Sequence, residues 1–424
     1  MTTTTNVIRT RRVPTERLSV QIAEVRDEGE PVVFVHGNVS SAAFWHTTLP
    51  LLPDRYRPIA PDLRGFGDTD PLPIDATRGL RDHVDDLAAL LAAVGVDRAH
   101  LVGWSMGGGV ALQYLGDHPA AVRSLTLVNP VSPYGFGGTH GVDGALNSPD
   151  GAGSGGGTAN PELVARLAEG DRGEGSPLSP RAVLANYYLK PPWRSGHEDA
   201  YVEAMLTTRT GDDHYPGDSV TSPVWPGVAP GTRGVLNCMS PLHFRLDGLH
   251  LVDPKPPILW IRGEDDVIVS DTSLFDLAHL GAIGAVPGWD GTPAQPMVAQ
   301  TRHVLDRYAA GAVRSGRWLS PMPGTRCIWS APRSSARRCW RSCRHDGVRH
   351  RPGRRPRQYL PGRCRVLPGR SLRRPALRPP PLPRTGSARA VDRSTRCHGL
   401  RSHRAARTLR TALRRPRAGR RHPR

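Results

Sequence analysis

The residue of this chain best suited to chemistry is Ser105, which lies between Gly103 and Gly107 in a Gly-Trp-Ser-Met-Gly sequence. An apolar run at residues 99–102 precedes this sequence, and a helix-like run at residues 108–115 follows it. A serine on a sharp turn between a strand and a helix presents its hydroxyl at the edge of a sheet, where it can attack a carbonyl carbon. Glycines are needed on both sides because larger side chains would crowd the turn. The pattern therefore predicts a nucleophile.

The elements around this turn alternate between apolar strand patterns and amphipathic helix patterns. The predicted strands are residues 7–13, 18–25, 31–35, 58–60, 99–102, 122–129 and 257–262, and the predicted helices are residues 42–52, 80–94, 108–115, 271–280 and 296–310. Such alternation indicates an α/β protein with a doubly wound, mostly parallel sheet.

The alternation stops at residue 131 and resumes after residue 253. We interpret residues 131–253 as an insertion that forms a cap over the edge of the sheet. It contains a glycine-rich stretch at residues 151–157, predicted to be flexible, and helical patterns at residues 161–167 and 180–188. The predicted organisation is a first core part at residues 1–130, the cap, a second core part at residues 254–313, and a tail at residues 314–424.

The tail differs sharply from the rest of the chain in composition. The whole sequence has a formal net charge of +19, but residues 1–313 contain 24 Lys and Arg against 36 Asp and Glu. The tail contains 33 Arg, no Lys and only two acidic residues, and five of the six cysteines. It is rich in proline and has no periodicity, so we expect it to be largely disordered. With Cys238 as its one cysteine, the acidic part is not a disulfide scaffold.

The spacing of four motifs resembles that of the α/β-hydrolase superfamily over residues 18–310. These motifs are the His-Gly-Asn sequence at residues 36–38, the aspartate-rich loop at residues 62–70, the serine turn, and the Gly-Glu-Asp-Asp sequence at residues 263–266. The resemblance implies a nucleophile–acid–base triad and backbone donors for the oxyanion. It implies the following roles: nucleophile Ser105, acid Asp266 with Asp265 as the alternative, oxyanion donors Asn38 and Met106, and supporting residues His36, Gly37, Gly103 and Gly107. Asp62 and Asp68 are expected to brace their loop.

The expected base is missing from its place. Family members carry a Gly-His pair after the last strand, and no such pair follows residue 266 at that position. His279 and His303 lie in helical patterns and are expected to be exposed helix residues. If the reading frame of residues 321–325 is moved back by one base, the codons permit Ala-Asp-Ala-Gly-His, and the following codons permit a glutamate, a phenylalanine and an apolar helix. We therefore interpret the tail as an out-of-frame translation that begins near residues 311–317.

The sequence thus predicts a serine hydrolase that cleaves a small ester, thioester, amide or activated carbon–carbon bond through an acyl-enzyme. Because the sequence lacks the catalytic histidine, we expect the activity of this chain to be lost or strongly reduced. Two alternatives are a protein that binds nucleic acid through the basic tail and a hydrolase-fold protein that binds a ligand without turnover. No cofactor, metal, membrane or specific nucleic-acid partner is expected. Four tail residues, Cys339, Cys343, His345 and His350, fit no common zinc-site spacing. Without an apolar leader or spanning segment, the protein is expected to be cytoplasmic; the sequence leaves the oligomeric state open.

Overall fold

The strands of the fold form one principal sheet, which positions the serine turn. The computed structural model describes residues 7–314, with side chains as far as residue 311. The tail predictions for residues 315–424, including disorder, the shifted frame and the four cysteine and histidine residues, lie outside the described residues. In this sheet the strands are β1 (Arg9–Pro14), β2 (Ser19–Glu24), β3 (Glu30–Val35), β4 (Tyr56–Pro61), β5 (Ala99–Trp104), β6 (Val122–Val128) and β13 (Ile258–Ile261).

The sheet has the order β1-β2-β4-β3-β5-β6-β13. At one edge β2 pairs antiparallel with both β1 and β4, and every other pairing in this sheet is parallel. This arrangement confirms the predicted mostly parallel α/β sheet. Because the carboxyl ends of β3, β5, β6 and β13 point the same way, the loops that follow these four strands meet at one edge of the sheet.

Strand β3 shows why the central strands form where they do. Its sequence ends in Val-Val-Phe-Val, and all four of these residues are buried. A strand covered on both faces favours such a continuous β-branched and aromatic run rather than an alternating one. The core continues through Ile59 of β4, Leu101 of β5 and Leu125 of β6, each with no more than 1% of its surface exposed.

Helices α1 (Arg81–Ala93) and α2 (Met106–Asp117) form as predicted, but the helix predicted at residues 42–52 does not. Helix α1 packs on helix α2, which lies against β3, β5 and β6. The predicted helix at residues 42–52 is wrong: the structure has two short 3-10 helices, Ala42–Trp45 and Leu49–Leu51. Proline has no N–H, so Pro50 cannot donate to the carbonyl of His46 and continue an α-helix.

The segment between β6 and β13 contains short elements. Its helices are α3 (Pro161–Glu169), α4 (Pro180–Val183), the π-helix Leu184–Tyr188, α5 (Glu198–Leu206) and α6 (Val235–Cys238), and its strand pairs are β7 (Thr139–His140) with β8 (Ala145–Leu146), β9 (Thr210–Gly211) with β10 (Tyr215–Pro216), and β11 (Ser219–Thr221) with β12 (Val228–Pro230). After β13 follow α7 (Leu277–Ala282) and α8 (Met297–Arg314). The chain position of the predicted insertion matches these elements, and its role as a cap stays a prediction.

The predicted flexibility of the glycine-rich stretch is wrong. The amide of Gly156 donates to Asn237 Oδ1 at 2.8 Å, and the amide of Gly153 donates to the Val228 carbonyl at 3.0 Å. At Gly155 the φ angle is +79°, and a Cβ there would lie 2.3 Å from Asn237 Oδ1. Glycine is used here for left-handed backbone and for close approach, not for mobility.

None of the helices in the described part of the chain is long and apolar enough to span a membrane.

Candidate active site

Ser105 lies on a strained turn between β5 and α2. Its backbone angles are φ 54° and ψ −122°, a conformation that non-glycine residues rarely adopt. A Cβ at Gly103 would lie 2.3 Å from the Gly107 carbonyl oxygen, and one at Gly107 would lie 2.3 Å from the His36 carbonyl oxygen. These contacts explain the two glycines of the motif: the start of α2 packs directly on the backbone of β3 and β5. The strained turn leaves Ser105 half-buried at the sheet edge.

The loop after β3 lies beside the serine. A Cβ on Gly37 would approach the Cβ of Ser105 to 3.0 Å, so the next residue, Asn38, is close to the nucleophile. The amides of Asn38 and Met106 have no hydrogen-bond acceptor among residues 7–314. Two unused backbone donors next to a serine are the groups that an oxyanion requires. The structure thus brings the predicted donors to the predicted nucleophile.

His36 connects the loop of Asn38 to the loop that contains Leu63. It is fully buried; its Nδ1 lies 2.7 Å from the Gly37 carbonyl oxygen, and its Nε2 accepts from the Leu63 amide at 2.9 Å. Burial lowers the pKa of His36 to about 3, although its bond to the Gly37 carbonyl acts in the opposite direction. A neutral ring satisfies both contacts, since one nitrogen donates and the other accepts. His36 is therefore a brace between two loops and has no free nitrogen for proton transfer.

The loop at residues 62–70 is held by a buried carboxylate. Asp62 accepts from the Ala42 amide at 2.7 Å and from the Asp68 amide at 3.0 Å. Burial raises the pKa of Asp62 to about 6, while these two bonds lower it. Asp62 thus connects its own loop to the segment that follows the oxyanion loop, and this is a bracing position.

Asp266 lies in the loop after β13, at the same edge of the sheet. Its Oδ1 accepts from the amides of Ile268 at 2.8 Å and Val269 at 3.1 Å, and its Oδ2 accepts from the side-chain amide of Asn129. The neighbouring Asp265 instead pairs with Lys190. Of the two candidate acids, Asp266 is the one fixed by groups at the ends of the strands.

Asn129 is a site residue that the sequence reasoning missed. It follows β6 directly, has a positive φ of 44°, and binds Gly263 as well as Asp266, its Oδ1 accepting from the Gly263 amide at 3.2 Å. The available signal was a polar residue at the end of a buried strand next to the strand of the nucleophile. Asn129 holds the acid loop against the end of β6.

Within residues 7–314, neither Ser105 nor Asp266 has a hydrogen bond to a histidine. His279 lies in α7 and His303 in α8, as the sequence predicts, but both are half-buried, so the predicted exposure is wrong. Ser105, Asp266 and the amides of Asn38 and Met106 thus lie in loops at one edge of the sheet, and no hydrogen bond in the described part of the chain joins a histidine to Ser105 or Asp266.

Aromatic side chains pack on Trp104, the residue before Ser105. Trp104, which precedes Ser105, stacks on Phe44 at a centroid distance of 5.3 Å and meets Tyr188 edge-on at 5.7 Å. Tyr201 of α5 stacks on the other side of Phe44 at 4.7 Å. Tyr188 and Tyr201 come from the 131–253 insertion, so this segment contributes directly to the surroundings of the serine.

Comparison with known proteins agrees with this geometry. Residues 30–166 match the family described as "alpha/beta hydrolase fold". This stretch includes the loop after β3, the aspartate loop and the serine turn, and the match supports an α/β-hydrolase fold for this part of the chain. Asp266 lies outside the matched residues.

Particular relatives share the same part of the chain. A putative carbamate hydrolase RutD of Variovorax paradoxus is 44% identical over 24% of this chain and 38% of its own length. A 2-hydroxy-6-oxo-2,4-heptadienoate hydrolase of Pseudomonas putida is 42% identical over the same shares, and a probable lysophospholipase BODYGUARD 4 of Arabidopsis thaliana is 39% identical over 26% of each chain. The chain therefore matches only about a quarter to two fifths of the length of these curated relatives.

Among solved structures, the esterase RhEst1 of Rhodococcus is 24% identical, with 73% of this chain and 98% of that chain covered and a TM-score of 0.39.

Proposed function

We propose that this chain carries the nucleophile, acid and oxyanion donors of a serine hydrolase that forms an acyl-enzyme. One observation carries the proposal. The non-glycine residues with positive φ in the described chain are Val39, Ser105 and Asn129, and they follow β3, β5 and β6 at one edge of the sheet. Each costs on the order of 1–3 kcal/mol of strain, which persists at sites where geometry matters for function.

The chemistry follows from the positions of these groups. The hydroxyl oxygen of Ser105 attacks a carbonyl carbon, and the resulting oxyanion accepts from the amides of Asn38 and Met106. Collapse of the tetrahedral intermediate breaks the bond to the leaving group and leaves the acyl group on Ser105. Water then attacks the acyl carbon and releases the acid product. The substrate class is a small ester, thioester, amide or activated carbon–carbon bond.

The base is the incomplete part of this proposal. It must take the proton from Ser105 and give it to the leaving group, and Asp266 would orient it. We infer that it is the histidine that the shifted frame permits at codon 325. Without the base, kcat falls on the order of a million-fold in a serine triad. The protein with the present sequence, which lacks this histidine, is then expected to bind substrate and to turn it over very slowly.

A fluorophosphonate probe tests the nucleophile. We expect it to label the frame-restored protein, in which one base is inserted or removed near codons 311–317, and to label the printed chain far more slowly. Ser105→Ala is expected to abolish labelling in both, whereas Ser219→Ala, at an exposed serine of β11, serves as the matched control. Labelling that survives Ser105→Ala would refute the assignment of the nucleophile.

The same proteins separate hydrolase from non-catalytic binder. Turnover of a p-nitrophenyl ester by the frame-restored protein, lost in Ser105→Ala and strongly reduced in Asp266→Asn, supports the hydrolase. A frame-restored protein that is folded but neither labelled nor active would favour the binder. Re-sequencing the gene across codons 311–317 tests the frame itself: an uninterrupted single frame there would exclude the shift.

A further inference from the structure

One short stretch of the insertion contacts the loops of all three proposed catalytic parts. In residues 187–190, the Tyr188 hydroxyl donates to the Asn38 carbonyl oxygen at 3.1 Å, and Lys190 pairs with Asp265 next to the acid. The Tyr188 ring also meets Trp104 beside the nucleophile. We call residues 187–190 the strap. Its contacts place it over the carboxyl ends of the strands.

The strap begins in an uncommon backbone conformation. Residues Leu184–Tyr188 form one π-helical turn, which is closed by the Leu189 amide donating to the Leu184 carbonyl at 3.0 Å. Single π-helical turns are rare and occur frequently at functional sites. Here the turn ends with two adjacent tyrosines that have different partners. Tyr187 meets Phe275 edge-on at 5.3 Å, whereas Tyr188 reaches the oxyanion loop.

The hydrogen bond from Tyr188 is made to the strained part of the oxyanion loop. The Tyr188 hydroxyl donates to the carbonyl of the peptide that joins Asn38 to Val39, and Val39 has a φ of 46°. The Val39 amide on the same peptide donates to Asn38 Oδ1 at 2.9 Å. Both polar atoms of this peptide are thus fixed. A β-branched residue at positive φ needs such fixation, because its relaxed conformation lies elsewhere.

The hydroxyl is well suited to a lasting donor role. Burial raises the pKa of Tyr188, with a smaller contribution from Tyr215, so the hydroxyl stays protonated across the physiological range. The ring is held by Trp104 and by Phe44 at 6.2 Å. The donor therefore approaches the Asn38 carbonyl from a packed ring.

We propose that Tyr188 is a positioning residue, which reaches from the insertion to the Asn38–Val39 peptide and holds the oxyanion loop in its strained, donor-ready form. The proposal rests on the proposed function, since it assigns the Asn38 amide to the oxyanion. It makes the insertion a part of the catalytic geometry as well as a cover for the site. Movement of the strap away from the core would release the loop.

The test uses Tyr188→Phe, which removes the hydroxyl and keeps the ring. Tyr187→Phe is the matched control, because the Tyr187 hydroxyl has no hydrogen-bond partner among residues 7–314. Hydrogen exchange of the amides in residues 37–41 is measured in the full chain. We expect exchange to become about five-fold faster in Tyr188→Phe and to stay unchanged in Tyr187→Phe, which corresponds to loss of one net hydrogen bond. Equal exchange in wild type and Tyr188→Phe would overturn the proposal.

A second measurement separates positioning from general stability. In the frame-restored protein, fluorophosphonate labelling gives a maximal rate and a half-saturating concentration. We expect Tyr188→Phe to lower the maximal rate about five-fold with the half-saturating concentration unchanged, since the loop acts on the developing oxyanion. A change in the half-saturating concentration alone, or equal losses in both tyrosine variants, would contradict a positioning role. If wild type is not labelled while exchange still responds to Tyr188→Phe, the proposed function fails and the contact of Tyr188 with the loop stands.

Discussion

Replacing Gly107 by alanine probes the packing that creates the serine turn. A Cβ at this position would lie 2.3 Å from the His36 carbonyl oxygen and 2.4 Å from the Val35 carbonyl oxygen. The shorter distance is 0.7 Å less than the 3.0 Å below which real Cβ contacts are essentially absent. Neither obstacle can rotate away, since both are backbone atoms at the end of β3.

The expected cost combines two opposing effects. Overpacking a well-packed core costs about 1–3 kcal/mol and occasionally more, and a clash with backbone belongs at the upper end. Alanine recovers up to about 1 kcal/mol of helix propensity relative to glycine. We therefore expect Gly107→Ala to lower the free energy of unfolding by about 2–3 kcal/mol. With a urea slope of about 2–3 kcal/mol per M, the midpoint falls by about 1 M.

Gly116 in the same helix gives the matched control. A Cβ there meets only Gln113 Nε2, at 3.9 Å, so Gly116→Ala adds propensity without a clash. We expect this variant to be more stable by about 0.5–1 kcal/mol. Urea unfolding of the full chain, followed by tryptophan fluorescence, measures both variants. If Gly107→Ala has the midpoint of wild type, or moves in the same direction as Gly116→Ala, the close packing of α2 on β3 is incorrect.

Two further changes test the braces of the site. In the folded state, burial lowers the pKa of His36 from 6.5 to about 3. As the pH falls from about 6.5 towards 3, the unfolded state therefore binds a proton that the folded state does not, and the free energy of unfolding decreases. We expect this group to lower the free energy of unfolding by up to ~5 kcal/mol, partly offset by Asp62, whose raised pKa of about 6 favours the folded state in acid. His36→Asn should flatten the pH dependence of stability measured by urea titration, and an unchanged slope would contradict a buried neutral imidazole. In Gly67→Ala, a Cβ would lie 2.0 Å from Asp62 Oδ2, at a residue whose φ is +55°. We expect this variant to lower the free energy of unfolding by about 2–3 kcal/mol in the same urea titration. A variant as stable as wild type would show that the loop is not closed on Asp62.

The sequence predicted the sheet and the principal site residues because their patterns are local. Continuous apolar runs such as residues 31–35 indicate buried strands, and the glycines around Ser105 record a steric requirement that the structure shows as backbone contacts. Polar residues at the ends of such strands converge whenever the strands are parallel neighbours. The serine turn was predicted from its own residues, whereas Asn38 and Asp266 were expected at the same edge because of the resemblance to the α/β-hydrolase superfamily.

Other features could not be predicted because they depend on distant partners. Asn129 matters through Asp266 and Gly263, which lie more than 130 positions away along the chain. The glycines at residues 151–157 have the composition of a flexible linker, yet Asn237 and Val228 fix them. Tyr188, the last residue of a π-helical turn, donates to Asn38, which lies 150 positions away along the chain. None of these contacts leaves a periodic signal in sequence.

The distribution of strain shows why the site can be recognised without its base. Val39, Ser105 and Asn129 follow strands β3, β5 and β6 at positive φ, and contacts within residues 7–314 fix them. The base of a serine triad acts through its own loop and is not needed to fold the serine turn. The proposed change of frame near residues 311–317 would therefore remove the proposed base and leave Ser105, the amides of Asn38 and Met106, and Asp266 in place. On this proposal the geometry of the site and its turnover are separable properties, because different parts of the sequence encode them.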